Sequence, residues 1–136
     1  MGVLGPRRRP LGLGNPPTVV LDGRFGELSL RRVPDGDRER WLLTAFDAGR
    51  YRIDVRVLDG PTSDMYAAPP VTVLRGCDWG GEDHPGGHVA QLYGGYVLPG
   101  STLADLHLVV SQWNTATNWP YRAMQFRADV SGLDGT

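Results

Sequence analysis

The chain has 136 residues, of which 40% are hydrophobic and 21% are charged, a composition typical of one globular domain with a modest core. A net charge of −1 argues against a nucleic-acid-binding protein, which would need a clustered basic face. All 14 basic residues are arginine, which excludes Schiff-base lysine chemistry, and the single cysteine excludes an intrachain disulfide.

The first residues differ from the rest in composition. Residues 1–15 are rich in glycine and proline and have no hydrophobic periodicity, which predicts a flexible arm before a domain at 16–130 and a tail at 131–136. The arginines at 7–9 precede no apolar segment, so we expect no signal peptide, and no apolar run is long enough to span a membrane. These residues do not indicate the cellular compartment of the protein.

The remaining sequence predicts an all-β fold. The 19 glycines and 11 prolines separate short runs rich in β-branched and aromatic residues, and no run has a helical period. The predicted strands lie near residues 18–21, 25–33, 40–46, 51–58, 71–74, 93–98, 106–113 and 121–130. The sequence PDGD at 34–37 predicts a hairpin turn, because proline presets φ and glycine supplies a positive φ.

One structural unit occurs twice along the chain. PPTVVL at 16–21 recurs as PPVTVL at 69–74, FG at 25–26 recurs as YG at 93–94, and WLLTAFD at 41–47 recurs as LVVSQWN at 108–114. The shared order of these segments predicts two consecutive four-stranded antiparallel blades of a β-propeller, which together make an incomplete ring.

The spacing of the repeats predicts where a site would form. The outer strand recurs after 53 residues and the inner strand after 68, so the second unit carries about 15 extra residues within 75–91. In a propeller this connection opens on the same face of the ring as the connection between the second and third strands. We therefore expect the insertion at 75–91 and the segment at 112–122 to converge on that face.

The second unit resembles a known family. YGGYVLPGSTL at 93–103, LVVSQWNT at 108–115 and PYRAMQF at 120–126 resemble the C-terminal end of actinobacterial proteins in the domain of unknown function family 4185, and FGELS at 25–29 resembles the preceding blade. The resemblance implies a five-bladed propeller of several hundred residues in an exported or cell-envelope setting. It also implies glycoside hydrolysis, since members include endo-acting D-arabinanases, and it implies that this chain holds only the last part of the ring.

Aromatic, amide and guanidinium side chains near the open face form the candidate saccharide site. Sugar rings stack on aromatic side chains, while a few polar groups bond their hydroxyls. The candidates are Gln91, Tyr93, Gln112, Trp113, Asn114, Trp119, Tyr121 and Arg122. For Trp113 and Tyr121, packing between blades is an open alternative, because the first unit has Phe46 and Tyr51 at the equivalent positions.

No catalytic pair is evident in the sequence. Glycoside hydrolysis needs two carboxyl groups on either side of the scissile bond, and nothing in the sequence pairs two acids in this way. If one acid were catalytic, we would choose Glu27, which begins a predicted inner strand. We expect that the chain alone lacks the pair.

The insertion also contains candidate metal ligands, namely Asp83, His84 and His88. The Pro-Gly-Gly sequence between the histidines excludes the helix that aligns such ligands in zincins, so we interpret the segment as a polar loop and expect no metal or cofactor.

Three functional hypotheses remain. The chain is part of an arabinan-degrading propeller, a noncatalytic module that binds saccharide or protein through the same face, or a truncated reading frame without independent function. An arabinan-like polysaccharide is the expected partner under the first hypothesis. Two blades leave faces and a strand edge uncovered, so we also expect self-association.

Overall fold

The computed structural model describes residues 17–133, and within this range the chain forms strands, turns and two short 3-10 turns. The strands are β1 (Phe25–Asp35), β2 (Arg38–Asp47), β3 (Arg52–Leu58), β4 (Val71–Cys77), β5 (His88–Ala90), β6 (Leu92–Val97), β7 (Leu106–Trp113) and β8 (Tyr121–Ala128). The 3-10 turns span Trp79–Gly81 and Ser131–Leu133. The predicted all-β class is confirmed.

The described strands form two sheets that follow one another along the chain. The first sheet has the order β1-β2-β3-β4-β5, in which neighbours are antiparallel except for the parallel pair β4 and β5. The second sheet has the order β6-β7-β8 and is antiparallel throughout. The two repeated units therefore fold into two sheets, but neither has the predicted four strands, because the insertion adds β5 to the first sheet and the described residues supply only three strands to the second.

The strand predicted at 18–21 is not formed. These residues belong to no strand of the described chain, and Val19 and Val20 are 68% and 49% exposed. The repeat equates this segment with β4, which pairs with the third strand of its own sheet. Segment 18–21 would need the third strand of a preceding sheet, and residues 17–133 contain no such sheet. Strand propensity alone is not sufficient to form a strand.

The structure also changes the predicted bounds of the first hairpin turn and of the last strand. The arm at 1–15 lies outside the described residues. The first hairpin turn is tighter than PDGD, because Pro34 and Asp35 remain in β1 and Gly36 turns the chain with a φ of 62°. Val130 is buried against the core cluster, so the last strand is followed by a packed segment.

The core lies between the two sheets. One cluster includes Leu42 and Val55 of the first sheet with Leu106 and Leu108 of the second, and a second cluster contains Phe46, Ile53, Leu92 and Val110 among others. Burying one such large aliphatic side chain contributes about 2 kcal/mol. Two facing sheets with this core hold the connections at their ends in fixed relative positions.

A β-bulge in β6 shapes the surface beside the core. Gly94 and Gly95 have φ values of 88° and 127°, and the register shifts between Gly94 and Tyr96. Only glycine adopts such conformations at little cost. As a result, Tyr93 and Tyr96 pair with Ser111 and Val109 on the same face of the second sheet.

The buried hydroxyl of Thr44 ties the two sheets together by donating a hydrogen bond to the backbone carbonyl of Gly95. Thr44 therefore lies on the face of β2 that is turned toward the second sheet, as do Leu42 and Phe46 in the core clusters. Within residues 17–133, no helix has the length and apolar character needed to cross a membrane.

Candidate functional site

A cleft of about 730 Å³ lies where the insertion meets the end of the second sheet. The insertion contributes the residues that follow β4, and the second sheet contributes residues from β6, β7 and β8. The lining consists of Tyr51, Cys77, Asp78, Trp79, Gln91, Leu92, Tyr93, Ser111, Trp113, Thr115 and Tyr121. The structure therefore brings the insertion and the segment at 112–122 together, and four of the eight candidate saccharide-binding residues line the cleft.

Aromatic rings dominate the accessible walls of the cleft. Trp113 and Tyr121 make an edge-to-face contact with their centroids 6.0 Å apart, and they are 43% and 64% exposed. The Nε1 of Trp113 donates to Asn118 Oδ1 at 3.0 Å, which fixes the orientation of the indole. Trp79, in the 3-10 turn of the insertion, is 39% exposed and also lines the cleft.

Gln112 and Trp113 are consecutive residues of β7, so their side chains lie on opposite faces of the sheet. Gln112 is fully buried toward the core, whereas Trp113, the next residue, is exposed in the cleft. Arg122 donates from Nε to Gln112 Oε1 at 2.7 Å, and it is not part of the cleft lining. Gln112 therefore supports the site from the buried side of the sheet, and neither Gln112 nor the exposed Arg122 lines the cleft.

Three further candidates lie in or near the connection between β7 and β8. The Oε1 of Gln91, which lines the cleft, accepts bonds from the backbone and hydroxyl of Thr115 at 3.3 and 3.2 Å. Asn114 Oδ1 accepts bonds from the backbone amides of Ala116 and Thr117 and shapes the loop. Trp119 is 75% exposed and lies outside the cleft lining.

A partly buried polar network anchors the insertion to the second sheet. Gln112 Nε2 donates to the carboxylate of Glu82 and to the carbonyl of Ala90, the latter at 2.7 Å. Glu82 Oε2 also accepts from the Ala90 amide at 3.1 Å and lies 3.0 Å from Nε2 of His84. This network joins residues 30 positions apart and sets the position of the cleft wall that carries Trp79.

The network changes the ionisation of Glu82. Burial opposes the charged carboxylate, but hydrogen bonds from His84, the Ala90 amide and Gln112 outweigh burial and hold the pKa of Glu82 below its ordinary value. At neutral pH Glu82 is therefore a carboxylate, and it accepts these bonds as the charged group of the network.

The lowered pKa of Glu82 predicts acid sensitivity. A carboxyl group whose pKa is lower in the folded state contributes stability that is fully present above about pH 5 and is lost as the pH falls through the folded pKa. We expect the free energy of unfolding, measured by urea denaturation from pH 7 to pH 3, to fall with decreasing pH. We also expect the Glu82→Gln variant to show a shallower fall.

The matched control is Glu39→Gln, which removes a carboxylate from a surface ion pair with Arg32 whose two side chains are about 60% exposed. Exposed pairs contribute little, so this variant is expected to keep the wild-type pH dependence. Equal slopes for the wild type and Glu82→Gln would show that the network does not carry the acid sensitivity.

Acidic residues near the site do not form a pair in the cleft. Among the described residues that line the cleft, Asp78 is the one acidic residue. Glu27 lies outside the lining, where its carboxylate accepts a hydrogen bond from Tyr96 and raises the pKa of that phenol. Burial, with the negative charges of Glu82 and Asp78, raises the pKa of the Cys77 thiol, so Cys77 is not an activated nucleophile at neutral pH.

The candidate metal ligands make other contacts. His84 pairs with Glu82 and packs edge-to-face on Phe126 at 5.9 Å, while Asp83 Oδ1 accepts from the amide of Gly86 at 3.1 Å. His88 begins β5, and its backbone exchanges hydrogen bonds with the backbone of Asp83. In the part of the chain that the structure describes, no three His, Cys, Asp or Glu side chains are grouped to hold a metal ion.

Sequence reasoning did not single out Tyr51, Trp79, Ser111 or Thr115 as site residues, although all four line the cleft. Trp79 carried a usable signal, since it is an aromatic residue in an insertion that has no counterpart in the first unit. The other three became recognisable only through their positions in the fold.

Comparison with known proteins identifies relatives over most of the chain. The family model described as "Domain of unknown function (DUF4185)" matches residues 12–127. The chain is 37% identical over 120 residues to the "Uncharacterized 35.9 kDa protein in asd 3'region" of Mycolicibacterium smegmatis, an alignment that covers 83% of this chain and 34% of the relative. It is 32% identical over 129 residues to the "Notoamide biosynthesis cluster protein J'" of Aspergillus versicolor, covering 92% of this chain and 32% of the relative. The chain spans about one third of the length of these curated relatives.

Proposed function

The chain belongs to the DUF4185 family, and on that premise we propose that it supplies one side of the saccharide-binding surface of a carbohydrate-active β-propeller. Its two sheets are then two neighbouring blades of the ring. The ligand is an arabinan-like polysaccharide, the substrate class that the family resemblance implies. The chain spans about one third of its relatives, so the remaining blades lie outside it.

The observation that supports saccharide binding is the composition of the cleft. Accessible rings of Trp79, Trp113 and Tyr121 offer flat apolar surfaces for the C–H faces of sugars. Asp78 and Gln91 place polar groups in the same lining, where they can bond hydroxyls. Apolar walls with a few placed polar groups are the usual composition of a small-molecule site.

The same lining supports binding without cleavage by this chain alone. A glycoside hydrolase needs two carboxyl groups about 5 to 9.5 Å apart, one on each side of the bond. Among the described lining residues Asp78 is the only acid, so a second carboxyl group would have to come from another part of the ring. The activity of the complete propeller is then shared between blades.

The Trp79→Ala variant tests the proposal most directly. Trp79 belongs to the insertion, which has no equivalent in the first unit. Unlike Trp113 and Tyr121, it therefore has no counterpart that would indicate a packing role repeated in each unit. We expect its removal to weaken the binding of arabinan oligosaccharides about tenfold, since one stacked aromatic ring contributes on the order of 1.4 kcal/mol. Isothermal titration calorimetry on the 136-residue chain measures this.

The matched control is Trp119→Ala. Trp119 is more exposed than Trp79 but lies outside the cleft lining, so its loss is expected to leave the affinity unchanged. Product analysis after incubation with arabinan is expected to find no released oligosaccharides. The proposal fails if the wild-type chain does not bind arabinan or if both tryptophan variants bind equally well, and released oligosaccharides would refute binding without cleavage.

A further inference from the structure

We propose that the saccharide bound in the cleft carries a protonated primary amine, which contacts the carboxylate of Asp78 and the exposed aromatic rings of the lining. This ligand class rests on the saccharide-binding function proposed above and makes it more specific. The charge of the lining, the free carboxylate of Asp78 and the aromatic rings each favour an ammonium group.

The lining of the cleft carries a negative charge and, among the described residues, no opposing positive charge. Asp78 is its charged side chain, and the others are aromatic, aliphatic, thiol, hydroxyl or amide groups. A lining with this composition attracts a positively charged ligand group and repels a uronic acid or a sugar phosphate. A neutral saccharide is tolerated, but it leaves the charge of Asp78 without a counterpart.

The arginines that neighbour lining residues in the sequence bind other groups. Arg50 Nη1 lies 3.0 Å from the carboxylate of Asp47, and Arg52 Nε lies 2.9 Å from the carboxylate of Asp54. Arg122 donates to the buried side-chain amide of β7. These three guanidinium groups therefore do not neutralise the acid of the cleft.

The carboxylate of Asp78 is available to a ligand. Asp78 precedes the 3-10 turn Trp79–Gly81 with an extended backbone, and its side chain makes no capping hydrogen bond to that turn. Aspartate at such a position commonly caps the turn that follows it. The residue is exposed, and no hydrogen bond or ion pair joins its carboxylate to another residue of 17–133. The fold therefore does not use this carboxylate for its own structure.

The thiol of Cys77 responds to the negative field of the cleft. Burial raises the pKa of this thiol, and the negative charges of Glu82 and Asp78 raise it further. Glu82 lies outside the lining, but its hydrogen bonds keep it a carboxylate at neutral pH. A field that disfavours a thiolate stabilises a cation in the same place.

The aromatic rings of the lining supply a second attraction for a cation. The face of an aromatic ring attracts an ammonium group that lies within about 6 Å of the ring centre. Trp79, Trp113 and Tyr121 all line the cleft with part of each ring exposed. The planes of Trp113 and Tyr121 are inclined at 62° to each other, so the two rings present their faces in different directions. Aromatic rings in different planes are typical of sites that recognise ammonium groups.

An ammonium group suits these surroundings better than a metal ion does. Metal ions need several ligands, and the structure groups no three His, Cys, Asp or Glu side chains among the residues it describes. An ammonium group needs only a few acceptors, which a carboxylate and a hydroxyl can supply. The Ser111 hydroxyl lines the cleft and donates to the Tyr93 carbonyl at 3.3 Å, so its oxygen can still accept a hydrogen bond.

The experiment compares three forms of one arabinan oligosaccharide by isothermal titration calorimetry on the 136-residue chain. The forms are the neutral oligosaccharide, a derivative whose reducing end is converted to a primary amine by reductive amination, and the same derivative after N-acetylation. We expect the amine form to bind about fivefold more tightly than the N-acetylated form, which has no charge. The difference is expected to shrink as salt rises from about 0.05 M to about 0.5 M, because salt screens exposed charges.

The Asp78→Asn variant removes the charge and keeps the size of the side chain. Asp78 is exposed and makes no capping bond, so the variant is expected to fold and to melt like the wild type. We expect it to bind the amine form no more tightly than the N-acetylated form, with the affinity for the N-acetylated form unchanged. The matched control is Glu39→Gln, which makes the same change in net charge on an exposed residue outside the lining and is expected to keep the wild-type preference.

The outcomes separate the amine preference from saccharide binding itself. Equal wild-type affinities for the amine and N-acetylated forms would overturn the amine preference and leave saccharide binding intact. A preference that persists in Asp78→Asn would also overturn it. Binding of the amine form alone would support the preference and contradict the binding of neutral arabinan. If none of the three forms binds, saccharide binding and the amine preference are both refuted.

Discussion

Replacing Gln112 with leucine is expected to lower the free energy of unfolding by about 3 kcal/mol. Gln112 is fully buried, and its amide serves three partners, Glu82, the Ala90 carbonyl and Arg122. Leucine has nearly the same size but no hydrogen-bonding group, so the charged carboxylate of Glu82 and the guanidinium of Arg122 lose a partner. Urea denaturation at pH 7 measures the loss.

The matched control is Gln125→Leu on β8. Gln125 is exposed and bonds only to the ring of His107 among the contacts the structure gives it, so its replacement is expected to change stability by less than about 0.5 kcal/mol. The Gln112→Glu variant adds a second test, since it places a carboxyl group against Glu82. We expect it to be more strongly destabilised at pH 7 than at pH 5, and an unchanged stability of Gln112→Leu would show that the network is not a structural anchor.

Most strands could be predicted because their signals are local. The runs at 25–33, 40–46, 51–58 and 106–113 have β-branched or aromatic residues between turn residues, and the structure has a strand at each. Segment 18–21 has the same local signal, but it pairs with no strand among residues 17–133. Local preference therefore predicts strand-forming residues, while pairing decides which of them form a strand.

The sequence did not predict the short strand β5, for a physical reason. His88–Ala90 has three residues and follows two glycines, so it carries no periodicity. It forms because the insertion folds back beside β4, where Arg75, Gly76 and Cys77 pair with it in parallel. Contacts distant in sequence hold this return, among them the hydrogen bonds from Gln112 to Glu82 and to the Ala90 carbonyl.

The composition of the site could be predicted only in part. The topology of the repeats correctly places the insertion next to the connection between β7 and β8, because both leave the same ends of the sheets. The prediction named both Gln112 and Trp113 as binding residues, but consecutive residues of a strand point to opposite faces of the sheet. The same rule separates Arg122 from Tyr121. The bond between Glu82 and Gln112 had no sequence signal.

The Gly76→Ala substitution is expected to lower the free energy of unfolding by about 3 kcal/mol and to distort the cleft. A Cβ at Gly76 would lie against the face of the Tyr51 ring, far inside van der Waals contact. The ring cannot easily move away, because its hydroxyl accepts a bond from the Leu92 amide at 3.3 Å and its edge packs on Phe46. The Gly76 amide also donates to the Tyr51 carbonyl at 2.7 Å, which keeps the two residues close.

A double-mutant cycle separates this clash from a general effect of alanine in β4. Gly80→Ala, in the same insertion, adds a Cβ that meets no atom within 4 Å, and it is expected to be neutral. In a Tyr51→Ala background the ring is absent, so Gly76→Ala is expected to cost much less than in the wild type, and the two changes should be strongly non-additive. Additive losses would show that Gly76 is required for another reason. A non-additive result would establish that Tyr51 occupies the space a side chain at Gly76 would need.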